Sequence, residues 1–167
     1  MSYSKSFFYP NVSLHDYPIL SRYPNPYSSH VVASDTVKAF TKEINGKNSL
    51  IIERLHTKVS RLHVPYLSRN AFVLEKVIIN DKIEVFNMNI SHKKWMTMIE
   101  RQKITEEAQS YKKYGITNGV YVKINTTIRS KSSWIQQFCL NNYKENVKIA
   151  QNGMKHVLES MGWRMPS

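Results

Sequence analysis

Over residues 30–129 the chain alternates apolar and polar side chains with period two in six successive runs, and this pattern constrains its fold more than any other feature. The runs read HVVASDTVKAFT, NSLIIERLHTKV, AFVLEKVIIN, KIEVFNMNI, MTMIERQKIT and GVYVKINTTIR. Successive side chains of a strand point to opposite faces, so each run can cover a core with one side and meet water with the other. Turn signals such as Asn45-Gly46 and Asn80-Asp81 punctuate them. Parallel pairing needs a crossover of a dozen or more residues, so the short connections predict an antiparallel meander. An earlier segment, YSKSFFYP, alternates weakly and stops at Pro10, which suits an edge strand. About seven strands are therefore expected.

After residue 130 the period changes. Val147, Ala150, Met154, Val157 and Met161 recur at spacings of three and four, which predicts a long helix over about residues 132–161 with these side chains on its apolar face. Gly153 falls inside it and costs up to about 1 kcal/mol against alanine, which points to close packing or ligand approach there. A shorter helix is expected over residues 11–21, capped by Asn11 or Ser13, with Leu14 and Tyr17 at helical spacing. The following SRYPNPYSSHVV should end it in a stiff turn, because each residue before a proline is pushed out of the α region. The expected class is α+β: a curved antiparallel sheet gripping a long C-terminal helix. Wherever the helix leaves the concavity unfilled, a deep apolar cavity results that could take a lipid or another small molecule.

Charge narrows the partner. The chain has 24 Lys+Arg against 12 Asp+Glu, a formal net charge of +12, which favours nucleic acid, an anionic membrane surface or a phosphorylated ligand, or else is merely a solubilising surface. The single cysteine, Cys139, lies in the apolar context WIQQFCLNNY and reads as a small core residue; it excludes an internal disulfide and a multi-cysteine zinc site. The six histidines are scattered, with no phosphate-loop, dinucleotide or zinc-protease motif and no nucleophile–base constellation, so no metal, cofactor or catalytic residue is expected. No apolar run reaches the roughly 18–20 residues of a bilayer span. The first residues lack the features of a signal or transit peptide, so retention by a partner is the expected route into an organelle.

RYPNPYSSHVVASDTV closely resembles the N-terminal signature of the PRELI-like (slowmo/PRELI) family of mitochondrial intermembrane-space phospholipid transfer proteins. LIIERLHTKVSRLHVPYL resembles that family's strand and lid loop, AFVLEKVIIN its next strand, NMNISHKKWMTMIER its following hairpin and YKENVKIAQNGMKHVLE its C-terminal helix. The similarity covers nearly the whole chain, so residues 1–167 are expected to be a single domain of this kind. It implies a helix-grip fold of seven strands with a lid over a lipid pocket. It also implies a non-enzymatic carrier of an anionic phospholipid, phosphatidic acid first and phosphatidylserine as the alternative, in the mitochondrial intermembrane space. The implied partners are the phospholipid, an anionic membrane surface and a small helical-hairpin protein with paired cysteines. A basic nucleic-acid-binding module is a further alternative on charge and on SYKKYG, but no stacking motif or recognition helix supports it, and no nucleic-acid partner is expected.

The same resemblance implies the site. Arg22 would lie near the phosphate, which a guanidinium can grip with two parallel bonds. His30, Arg54, Lys58 and Arg61 would be basic positions on the pocket wall and on the strand leading to the lid, and Asn146 and Lys148 would face the headgroup from the helix. The alternative for each basic residue is a solvated surface charge, and for the proline turn a mere connector, which the resemblance disfavours. Asn142 and Ile149 stand where phosphatidic acid carriers can have basic residues, which puts lipid choice in doubt. The lid, with Leu62, Val64, Tyr66 and Leu67 beside His63 and Arg69, suits either shallow insertion into an anionic bilayer or a plug over the pocket.

Overall fold

All the alternating runs become strands. The computed structural model describes residues 1–59, 69–110 and 115–165. Its elements are β1 (Ser2–Pro10), β2 (Val31–Ile44), β3 (Lys47–Val59), β4 (Asn70–Ile79), β5 (Ile83–Asn89), β6 (Thr97–Ser110), β7 (Ile116–Arg129) and the helix α1 (Ser133–Ser160). Strands β2 to β7 form the expected meander in one curved antiparallel sheet, and β1 adds to its far side, giving the order β1-β7-β6-β5-β4-β3-β2. Asn45 and Gly46 close the β2–β3 hairpin with φ of 50° and 77°, the left-handed pair that matches the strand twist. The fold is α+β. The expected lid residues Leu62, Val64, Tyr66 and Leu67, together with Arg61, lie outside the described residues.

With β1 and β2 on opposite edges, residues 11–30 must cross six inter-strand gaps, about 29 Å at about 4.8 Å each. This replaces the helix expected over 11–21. Only isolated turns form there, with the amides of Asp16, Tyr17 and Ser21 donating to the carbonyls of Ser13, Leu14 and Pro18. The amide of Leu14 donates instead to the Glu106 carboxylate on β6, at 2.7 Å, and Pro18 has no amide to continue a ladder. Asn25 is extended, as its following proline requires, and its side chain caps a single 3-10 turn, Pro26–Ser28.

The core lies between the inner face of the sheet and α1. Ser132 caps the helix, its hydroxyl accepting from the Ile135 amide. The buried seam runs through Leu140, Tyr143, Val147, Met154 and Leu158. The expected stripe is thus only partly correct, since Val147 and Met154 are buried and Ala150 faces the cavity between helix and sheet, whereas Met161 is exposed. Rotation is set by two tertiary contacts, Tyr143 bonded to the sheet and Gly153 pressed against Asn25, and these place Leu158 inward in preference to Val157 and Met161.

Gly153 is the point of closest approach. A Cβ there would lie 2.7 Å from Asn25 Oδ1. The Asn25 amide cannot easily retreat, because Oδ1 accepts from the amides of Tyr27 and Ser28 and Nδ2 donates to the Arg22 carbonyl. Gly153→Ala should therefore lower the melting temperature: overpacking of about 1–3 kcal/mol exceeds the helix-propensity gain of at most about 1 kcal/mol. Thermal unfolding checks it, and an unchanged or raised melting temperature would refute the tight contact.

Candidate functional site

Burial alternates along β3 and β4 so that Ile52, Arg54 and His56 share the inner face with Val73, Glu75 and Val77. The register sets Arg54 directly opposite Glu75. It continues Glu75 to Asn87 on β5, Asn87 to Glu100 on β6 and Glu100 to Thr126 on β7. One polar row therefore crosses five strands of a face that is otherwise largely apolar.

At one end of this row Glu75 is fully buried, 0% exposed. Arg54 donates to its Oε1 from Nε at 2.9 Å and from Nη2 at 2.5 Å, and also donates to the carbonyls of Leu20 and Ile19. Arg22 arrives from the crossing segment, donating to Glu75 Oε2 and to the Ile19 carbonyl, with its guanidinium 4.6 Å from the Tyr23 ring centre. His56 Nε2 is 3.2 Å from Glu75 Oε1. Burial pushes the Glu75 carboxyl up, but Arg22, the adjacent His56 imidazole and Arg54 outweigh it and hold the group well below the usual carboxylate range. Burial likewise outweighs Glu75 at His56 and lowers its pKa, so the imidazole is mainly neutral at pH 7. Two guanidiniums against one carboxylate leave the cluster with an excess positive charge.

A cavity of about 250 Å³ opens beside the cluster. Arg22, Tyr23, His30, His56 and Lys58 form one side of it; Phe7, Tyr9, Val122 and Ile124 supply apolar wall; and Asn142, Tyr143, Asn146, Val147 and Met154 project from α1. On the sheet side stands Glu100, about 10 Å from Glu75 along the polar row at two strand spacings. Its Oε1 accepts from Asn87 at 2.9 Å and Gln102 at 2.7 Å, and its Oε2 accepts from the Tyr143 hydroxyl. That hydroxyl in turn accepts from Thr126 at 2.5 Å. Burial and the adjacent carboxylate push the Tyr143 phenol far above its ordinary value, so it stays a donor.

The expected site residues thus separate into groups. Arg22, His30, Lys58 and Asn146 line one cavity, and Arg54 stands behind them, joined to Arg22 through Glu75. Lys148 is exposed and ion-paired with Glu145 at 3.0 Å, away from the cavity. Arg61 and the lid residues are outside the described chain. Sequence reasoning missed Glu75, His56, Glu100 and Tyr143. Glu75 did leave a trace, because in AFVLEKVIIN it occupies the same alternation as Val73 and Val77, a carboxylate on a core-facing position. Among the described residues no three or more histidine, cysteine or acidic side chains group as a metal site.

Acid should unfold the protein through this cluster. A depressed carboxyl pKa contributes stability that is complete above the ordinary value of 4.5 and is lost as pH falls through the folded value. His56, favoured neutral, loses its contribution below its ordinary value of 6.5. The melting temperature should fall in two stages, beginning near these two values. Glu75→Gln should remove the lower stage and, by stranding two guanidiniums, destabilise the fold at neutral pH by about 3–5 kcal/mol. A pH series of thermal melts on both proteins checks this, and identical acid profiles would refute it.

The sequence profile of the PRELI-like family matches residues 18–163, a span that holds the later part of the crossing segment, the cation cluster and α1. The chain is 28% identical over 158 residues to PRELI domain-containing protein 1, mitochondrial, of Gallus gallus, covering 87% of this chain and 70% of that one. It is 26% identical over 149 residues to the protein named ups1 homolog of Schizosaccharomyces pombe, covering 84% of each. It is 24% identical over 154 residues to UPS1, mitochondrial, of Saccharomyces cerevisiae, covering 84% and 82%. With the profile spanning most of its length, this chain belongs to the PRELI-like family.

Proposed function

We propose that the protein is a mitochondrial phospholipid carrier, non-catalytic, whose inner cavity receives an anionic headgroup, phosphatidic acid first. The observation that carries this reading is the excess positive charge of the Arg22–Glu75–Arg54 cluster, placed with Lys58 at a cavity that is otherwise substantially apolar. A phosphate beside Arg22 and Lys58 would gain charge-assisted bonds of about 1.5–3 kcal/mol each. The acyl chains, about 30 methylenes at about 0.8 kcal/mol each, contribute more, on the order of 24 kcal/mol against exposure to water. Because the chains contribute the same for every headgroup, the polar contacts decide among lipids while affinity stays low enough for release. The cavity, about 250 Å³, is smaller than the roughly 300–1,000 Å³ of ordinary ligand pockets. Loading two chains therefore requires α1 and the crossing segment to separate from the sheet. The relatives named mitochondrial support that location. The intermembrane space and a small paired-cysteine helical-hairpin partner complete the proposal.

A second cargo has a specific observation in its favour. Glu100 puts a carboxylate on the cavity wall about two strands from the cations, an arrangement that can accept the ammonium of phosphatidylserine, and Asn142 adds no charge to oppose it.

Transfer of labelled phosphatidic acid and phosphatidylserine between donor and acceptor vesicles tests both readings. Lys58→Glu, which leaves the Glu75 pairing intact, and Arg22→Glu should each slow transfer about ten- to a hundredfold, the value of one charge-assisted bond. Movement of neither lipid by the wild-type protein would overturn the proposal. Glu100→Gln should shift the ratio of rates toward phosphatidic acid if the carboxylate selects against it, and an unchanged ratio would remove Glu100 from headgroup selection.

A further inference from the structure

Two exposed tryptophans stand at one end of the fold without a role in the cavity. Trp134, 70% exposed, lies in the first turn of α1 and stacks on Phe138 at 5.6 Å between ring centres. Trp95, 52% exposed, lies in the β5–β6 connection. The two elements are tied together, because Ser130, just before the helix, donates from Oγ to the Trp95 carbonyl at 2.7 Å. The connection is held firmly: Asn89, itself buried, donates to the carbonyls of Ser91 and Met96 and accepts from the Met98 amide. Lys93, Lys94 and Lys131 are exposed on the same two segments. No acidic residue occurs between Glu84 and Glu100 or between Glu107 and Glu145, and Glu100 itself faces the cavity.

We propose that this end, with Trp95 and Trp134 as anchors and Lys93, Lys94 and Lys131 around them, is a docking surface for an anionic bilayer. Indole rings favour the boundary between headgroups and acyl chains, and lysines beside them gain on the order of 1 kcal/mol each from an anionic leaflet. Exposed aromatic groups with lysines on the same two segments, neither of which carries a carboxylate to repel lipid phosphate, match that surface in both polarity and charge. The placement also serves the cavity. Met96, the next residue after Trp95, lines the cavity, as does Cys139, the next after Phe138. A bilayer seated on Trp95 is thus one residue of chain from the cavity wall at Met96, and one seated on Trp134 reaches Cys139 through the stacked Phe138 ring. This inference deepens the phospholipid-carrier reading and rests on it for the identity of the bilayer as donor and acceptor.

The test is sedimentation of the protein with vesicles of phosphatidylcholine mixed with phosphatidylglycerol, against vesicles of pure phosphatidylcholine. Lys93→Glu/Lys94→Glu/Lys131→Glu should weaken binding to the anionic vesicles on the order of a hundredfold, and Trp95→Ala/Trp134→Ala about tenfold. Brominated acyl chains should quench wild-type tryptophan fluorescence, whereas the double alanine variant, retaining only Trp163, should escape quenching. Both variants should keep the wild-type melting temperature and any copurified phospholipid, since neither touches the cation cluster. Vesicle binding equal to wild type in both variants, or no quenching of the wild-type protein, would overturn the proposal; variants that fail to bind another protein yet still bind vesicles would do the same. Patch-dependent vesicle binding by a wild-type protein that carries no phospholipid would support the docking surface while removing the carrier reading.

Discussion

Glu75 holds the architecture together at the place where it is most open to failure. A carboxylate at the centre of the inner face would be untenable alone, since burial without partners favours its neutral form. Arg54 answers it from the neighbouring strand and Arg22 from the crossing segment. Arg54 also donates to the carbonyls of Leu20 and Ile19, so the same cluster nails an irregular stretch of chain to the sheet. Buried ion pairs of this kind often add little net stability compared with apolar packing, but breaking one partner is severe. Their effect here is positional. They set where residues 19–22 lie and hence where one side of the cavity stands.

The helix is fastened by different means at two places. Tyr143 engages Glu100 and Thr126 on the sheet, and Gly153 admits the Asn25 side chain that caps the 3-10 turn. Between these points the helix offers Asn146 and Val147 to the cavity. Both fastenings use short-range polar contacts or close steric fit, which form in one geometry and vanish with small displacements. Under the carrier reading proposed above, fastenings of this character would let the helix part from the sheet while the sheet keeps its ladder.

The charge pattern of the molecule divides by depth. Inside, the Arg22–Glu75–Arg54 cluster stands at one end of the polar row and Glu100 about two strand spacings along it, so the cavity has a cationic and an acidic pole. Outside, the two segments bearing Trp95 and Trp134 carry exposed lysines and no acidic residue. The high net charge is thereby divided between a buried cluster at the cavity and an exposed set of lysines at one end of the fold.

Much of the fold was legible in the sequence because it depends on local periodicity. The six runs of period two became β2 to β7, Asn45-Gly46 became the hairpin turn its chemistry favours, and Ser132 became the cap of a helix that ends close to where its pattern ends. RYPNP marked the segment that delivers Arg22 and His30 to the cavity. What local pattern could not decide depended on partners distant in the chain. The helix expected over residues 11–21 gave way because those residues must span the sheet and because Glu106, some ninety residues away, takes the Leu14 amide. The seam of α1 was set by Tyr143 and Gly153 meeting the sheet and Asn25. Arg54 and Arg22 were visible as cations, but that both bind one buried carboxylate appears only when β3 pairs with β4 and the crossing segment lies over them. The sequence by itself determined which segments are strands, which is the helix and that the surface is basic, since these follow from side-chain period and charge. Only the tertiary structure decided which charges are neutralised, which face the cavity and which stand at its edge, because burial and pairing belong to the space between elements.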